Sequence, residues 1–379
     1  HAFSDHPSVK AEAANVAVSK ENKKISGALP NPMLNGGVFA EPVVTKNGPQ
    51  SWRAGVSQKL PFFGKLSTRR KIASEQSVTA EIRLTQTLLR IQLNVISPFE
   101  NLRFHQKEVE IARQNLELAQ HIETVIRSRY KTATAGHPDL IQIQLKIMTM
   151  EDRVQDLADK EKVLLSELQY AVGTNENLFP VFNDLENTLP EMDDIGNNTN
   201  LQVHRQNLGI SKLQNKLNHL ASIPDFTAGV DYIRLEDDME NHPLLFKVGI
   251  TLPLWIGKNK ALKSVGEAGI REAELQLKDI ELKLNTKLSR FKFQLTEKER
   301  EIKLYLRKLI PHAKLGYDAS ETAYLANSIS FTEFIFTFQT LLDLELKSAL
   351  AISEFQKIKA GFFELTGHYI INPEKGDTK

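Results

Sequence analysis

The chain contains no cysteine, so disulfides, thiolate nucleophiles and cysteine-ligated metals are excluded, while the redox compartment stays open. It also lacks any apolar run of about 18 residues, which excludes a transmembrane helix. It begins at His1 without a basic-then-apolar signal segment, as a processed mature chain would. An excess of charge is missing too: 48 basic and 47 acidic residues leave a net charge of +1. A nucleic-acid partner therefore has no electrostatic basis, and neither does an anionic membrane surface. No nucleophile elbow, Gly-rich phosphate loop or paired-carboxylate motif is present, and no two histidines stand at the i, i+4 spacing of a helical metal site. The expectation is a protein that is not an enzyme and carries no cofactor or metal. Hydropathy does not exclude a membrane β-barrel, whose strands are only about ten residues long and apolar at alternate positions. That must be judged by period.

What is present is a duplication. One interval separates Tyr130 from Tyr324, Asp139 from Glu333, Ile141 from Ile335 and Gly173 from Gly367, and it recurs between Pro30 and Pro224 and between Gly55 and Gly249. Gly64-Lys65 and Gly257-Lys258 differ by one residue less. Residues 6–173 and 200–367 thus read as two versions of one unit. The expected division is 1–173 as first repeat, 174–199 as a polar connector, 200–367 as second repeat and 368–379 as a tail.

Each unit opens with a helix (6–28 and 200–222) that stops at Pro30 or Pro224. Strands follow at about 34–43 and 52–60, and at about 225–235 and 243–254. The clearest is the last, where Phe246, Val248, Ile250, Leu252 and Leu254 alternate with Lys247, Gly249, Thr251 and Pro253. Trp52, Ala54, Val56 and Leu60 share a face in the first unit, interrupted by Gln58. Helical hairpins fill 65–172 and 258–366. Their long arms would each measure about 100 Å at 1.5 Å per residue; their return helices, from Pro138 and Thr332, are about half as long. Ile270, Ala273, Leu277, Ile280, Leu284, Leu288, Phe291 and Leu295 form a coiled-coil seam. Pro98 and Pro311 should kink a helix or end a segment.

This order of elements resembles the outer membrane factors, the TolC-like exit ducts of efflux pumps and type I secretion systems. The residues that carry the resemblance are Leu29-Pro30-Asn31-Pro32, the run from Gly55 to Lys65, the run from Gly249 to Lys258, and an acid nine positions after the tyrosine at each hairpin turn. Leu60-Pro61 before Gly64-Lys65 looks most like the heavy-metal efflux branch. The resemblance implies a mixed α and transmembrane β fold. A homotrimer would close a twelve-stranded barrel in the outer membrane of a Gram-negative bacterium, above a periplasmic α-helical barrel. It implies as partners a periplasmic adaptor, an inner-membrane transporter of proton-driven type and outer membrane lipid, with passive conduction of the substrate. Two other classes remain open, a soluble periplasmic adaptor and an elongated coiled-coil scaffold. Adaptors usually nest one hairpin inside β domains rather than carrying two in tandem, and detergent dependence separates the classes.

The resemblance also assigns roles. Asp139 and Glu333, aided by Tyr130, Tyr324, Asp318 and Glu321, would constrict the periplasmic gate. As plain chemistry, Asp139 and Glu333 are first-turn carboxylates favoured by the helix dipole, the tyrosines are seam packing, and Asp318 and Glu321 are solvated. The base that can lock such a gate is Ile329 here, and the usual glycines are Ala133 and Asn327. Ala133, Gly136, Asn327 and Ser330 would be adaptor-docking tips, and Trp52, Val56, Phe246, Val248, Ile250 and Leu252 would face lipid.

Overall fold

A computed structural model describes residues 2–132, 136–182, 188–192, 194–236 and 243–369. A short helix α1 (Ala2–Asp5) and α2 (Pro7–Ser26) precede strands β1 (Met33–Thr45) and β2 (Gly48–Leu60). The 67-residue helix α3 (Lys65–Lys131) follows, then the 36-residue α4 (His137–Val172). The second repeat runs α5 (Thr199–Ala221), β3 (Asp225–Leu235), β4 (Leu244–Thr251), α6 (Ile256–Leu304), α7 (Ile310–Leu325) and α8 (Phe331–Thr366).

The two interior prolines have different outcomes. α3 continues through Pro98. Before Pro311 the helix widens into a π turn, Tyr305–Leu309, in which the Ile310 N–H bonds to Tyr305 O, five residues back. Pro311 has no N–H to give to the previous turn, and its ring crowds the carbonyl four residues earlier. The wider turn relieves both. Both return helices end on glycine, at Gly173 and Gly367, each with φ of 78°. A side chain is strained there, so the left-handed cap that pairs the last carbonyls falls to glycine.

The chain forms two compact units, and neither follows a repeat: each takes segments from both. One unit comprises Ala11–Thr85 and Thr199–Leu282 and contains the sheet. Its four strands are antiparallel in the order β1-β2-β3-β4, so the two hairpins join through β2 and β3, which pair Gly55 with Asp231 and Leu60 with Phe226. Leading helices lie along the long ones: Lys20 Nζ is 3.1 Å from Glu81 between α2 and α3, and Asn218 Nδ2 donates to Leu262 O at 3.0 Å between α5 and α6. A buried lysine ties the corner between β2 and α3 to β3. Lys65 Nζ donates to Ile223 O and to Asp225 Oδ1, both at 2.7 Å, and the Phe62 N–H donates to the same carboxylate oxygen at 2.9 Å.

The other unit comprises His1–Lys10, Gln86–Asn198 and Lys283–Lys379. One of its cores gathers Ala119, Ile122 and Ile126 of α3, Leu140 and Ile143 of α4, Tyr324 of α7, and Phe331 and Phe334 of α8. A second core around Leu102, Leu164 and Leu168 receives Leu178 and Phe182 from the connector, with the rings of Phe99 and Phe182 4.9 Å apart. Each aromatic side chain buries about 150–250 Å², so these rings supply much of the apolar burial that holds the two cores together.

Candidate functional site

The residues expected at the gate lie where the helical hairpins turn. In the first turn Ala133 falls outside the described residues, while Gly136 is the exposed N-cap of α4 and gives no side-chain cap. Pro138 at the start of α4 fits a first turn that needs no donor. Asp139, half-buried, stands in that turn, and Tyr130, 44% exposed, packs its ring 5.6 Å from that of His137.

The second turn is built differently. Asn327 has φ of 61°, a left-handed conformation that Asn tolerates better than most residues. Ser330 and Glu333 close a capping box: the Glu333 N–H donates to Ser330 Oγ at 3.2 Å, and the Ser330 N–H donates to Glu333 Oε2 at 2.8 Å. The Ser330 hydroxyl also donates to Glu333 Oε2, at 3.0 Å, and this bond and the one from the Ser330 N–H hold the Glu333 carboxyl below the ordinary glutamate range. A residue expected at the gate and one expected at a docking tip therefore form one helix-start device.

Tyr324 is 6% exposed. Its ring stacks on Phe334 at 5.3 Å and tilts against Phe331 at 5.8 Å. Arg129, which the sequence did not single out, lies over the same ring with its guanidinium carbon 4.9 Å from the centroid, and its Nη1 donates to Tyr324 O at 2.9 Å. Such a cation over an aromatic face contributes about 0.5–2 kcal/mol. The Tyr324 hydroxyl is buried, with no hydrogen-bond partner among the described residues. Burial pushes its pKa up, opposed by Arg129 and reinforced by the nearby charge of Asp139, so Tyr324, Arg129 and Asp139 share one neighbourhood.

Asp318 and Glu321 flank Tyr317, another residue the sequence did not single out. Its ring lies 5.8 Å from Phe334 and 5.9 Å from Phe338. Burial, with Glu321 and Asp318 adding to it, pushes the Tyr317 pKa up to about 12. Ile329 packs against the Tyr324 core. An ion there would be desolvated by the neighbours that favour an aliphatic side chain. Tyr317 stands two helical turns before Tyr324, and that spacing was the available signal; Arg129 had none, because its partner is on a distant helix.

In the sheet, register puts Leu34, Val38, Trp52, Val56, Phe226, Phe246, Val248 and Ile250 on one face, and Asn35, Arg53, Ser57, Thr227, Asp231 and Lys247 on the other. Leu252 follows the end of β4. The apolar face is open: Phe246 is 79% exposed and Val248 82%, while Trp52 packs beside Tyr232 at 5.8 Å. On the polar face Lys247 Nζ meets the Asp231 carboxylate at 2.5 Å. Among the described residues no helix is long and apolar enough to cross a membrane, and no group of three or more His, Asp or Glu side chains is placed to hold a metal ion.

Among solved structures the chain is similar to the outer membrane protein VceC of Vibrio cholerae, at 14% identity, covering 97% of this chain and 94% of that one with a TM-score of 0.78. It is similar to CusC at 14% identity, 97% and 90% coverage and a TM-score of 0.81. The open-state MtrE outer membrane channel of Neisseria gonorrhoeae follows at 15% identity, 97% and 87% coverage and a TM-score of 0.76. The chain therefore has an outer membrane channel fold, mostly helical with a small antiparallel sheet. It is the fold of the TolC-like outer membrane factors, as the motifs implied. No family model matches the sequence, and no curated protein does.

Proposed function

We propose that the chain is the outer membrane exit duct of a tripartite efflux pump, conducting substrates passively from an inner-membrane transporter and its periplasmic adaptor. The sheet carries this reading. It presents an apolar face with Phe246 and Val248 exposed, an opposite face that carries Arg53, Ser57, Thr227, Asp231 and Lys247 beside Met33, Ile233 and Leu245, and two open edges, β1 and β4. Exposed apolar area of this kind marks a contact with lipid or a partner. Four strands do not close a barrel, and lipid tolerates no open sheet edge. Three copies supply the missing strands and make a twelve-stranded barrel in the outer membrane.

On this reading Trp52, Val56, Phe246, Val248, Ile250 and Leu252 face lipid. Asp139, Glu333, Asp318 and Glu321 line the periplasmic mouth, closed by packing around Tyr130 and Tyr324. The tips at Ala133, Gly136, Asn327 and Ser330 dock the adaptor. The similarity to outer membrane channels along nearly the whole chain supports the assignment. Purification and planar-bilayer recording test it: the chain should need detergent, form a trimer and conduct ions. A monomer that stays in plain buffer and inserts nowhere overturns it.

A further inference from the structure

The duplication allows one contact inside the chain to specify a contact between chains. Within one copy, the second strand of the first repeat, β2, pairs with the first strand of the second repeat, β3. The corner at this junction is closed by Lys65, which is buried and donates to Ile223 O and Asp225 Oδ1 at 2.7 Å, while the Phe62 N–H donates to the same Asp225 oxygen at 2.9 Å. In a closed ring of copies, the second strand of the second repeat, β4, meets the first strand of the first repeat, β1, of the next copy. The two junctions are equivalent by the repeat.

The residues equivalent to that corner are present. Gly257-Lys258 repeats Gly64-Lys65, Trp255 repeats Phe62, and the Pro30/Pro224 match sets Leu29 against Ile223 and Asn31 against Asp225. Lys258, Trp255, Leu29 and Asn31 are all exposed. Among the described residues Lys258 makes no ion pair or side-chain hydrogen bond, unlike Lys65.

Resting on the trimeric duct reading, we infer that Lys258 is an intermolecular latch, whose ammonium donates to Leu29 O and Asn31 Oδ1 of the neighbouring copy. The change of acceptor for the lysine, Asn31 in place of Asp225, has a physical reason. Asp225 always has Lys65 within its own chain, so its charge is paired as soon as the chain folds. Asn31 meets its lysine only on assembly, and a neutral amide leaves no unpaired charge at the edge beforehand. It gives a weaker bond than a carboxylate would: the Lys258 ammonium is an ionised donor in either case, but an amide oxygen carries no formal charge for it to attract.

A substitution cycle on the full-length detergent-solubilised oligomer tests this, with the temperature of subunit dissociation as readout. Asn31→Asp should raise that temperature by recreating the Lys65–Asp225 pair between copies, Lys258→Met should lower it, and the rise from Asn31→Asp should vanish in the Lys258→Met background. As a second measurement, Asn31→Cys with Lys258→Cys in this cysteine-free chain should be joined between copies by a short bis-maleimide. A rise from Asn31→Asp that persists without Lys258, or an intact oligomer whose copies are not joined, overturns the latch and leaves the duct standing. A wild-type chain that is monomeric in detergent overturns both.

Discussion

The hydroxyl of Tyr324 separates packing from gating. Tyr324→Phe deletes one oxygen from a side chain that is 6% exposed and already stacked on Phe334. Among the described residues that oxygen has no partner, and a buried unsatisfied hydroxyl costs about 1–3 kcal/mol. Taken alone, the chain should therefore gain up to that amount from the substitution, seen as a higher denaturant midpoint for the turn region. The gate reading demands the opposite: in the closed trimer this buried ring would have to swing out so that its hydroxyl finds an acceptor across the threefold mouth. Losing one bond there costs about 0.5–1.5 kcal/mol per chain. Three copies shift the closed-to-open balance by about 1.5–4.5 kcal/mol in total, a rise of roughly ten- to a thousand-fold in the open-to-closed ratio. Single-channel recording measures the open fraction directly. If it stays unchanged while the denaturation midpoint rises, Tyr324 is core packing and the gate assignment fails.

Three further outcomes are expected. Val248→Arg should cost about 2–4 kcal/mol if the residue meets lipid near mid-bilayer, and Thr251→Arg far less; equal effects would sink the barrel. Asp139→Ala with Glu333→Ala should reduce cation preference in reversal-potential measurements, with Glu333→Gln as the variant that disturbs the capping box less. The Glu333 carboxyl is held below its ordinary range by Ser330, so its share of that preference should survive mild acid and be lost only as pH falls through the lowered value. Photocrosslinkers at Ala133 and Asn327 should capture a periplasmic adaptor, and capture from Ala40 with none from the turns would refute tip docking.

How much could be read from sequence depended on whether a feature is local. The period of two in Phe246, Val248 and Ile250 was enough to place them on one face, because alternation needs no knowledge of a neighbour. The stops at Gly173 and Gly367 were legible for the same reason. Ser330 and Glu333 carry the S-x-x-E signature of a capping box ahead of an apolar run, so their bonding was available in the sequence, but the resemblance drew attention to the gate instead. Arg129 was invisible, because its two contacts with Tyr324 join residues 195 apart in the chain and its own surroundings on α3 resemble any charged helix surface. The π turn was half visible: Pro311 announced an interruption, but not its form. The most informative case is the contrast between Asn31 and Asp225. Both stand in plain sight at matched places in the repeat, yet a difference between an amide and a carboxylate has no meaning until Lys65 is seen to bind one of them. Repetition then carries the meaning across, since whatever closes the corner inside the chain needs an equivalent at its two open edges.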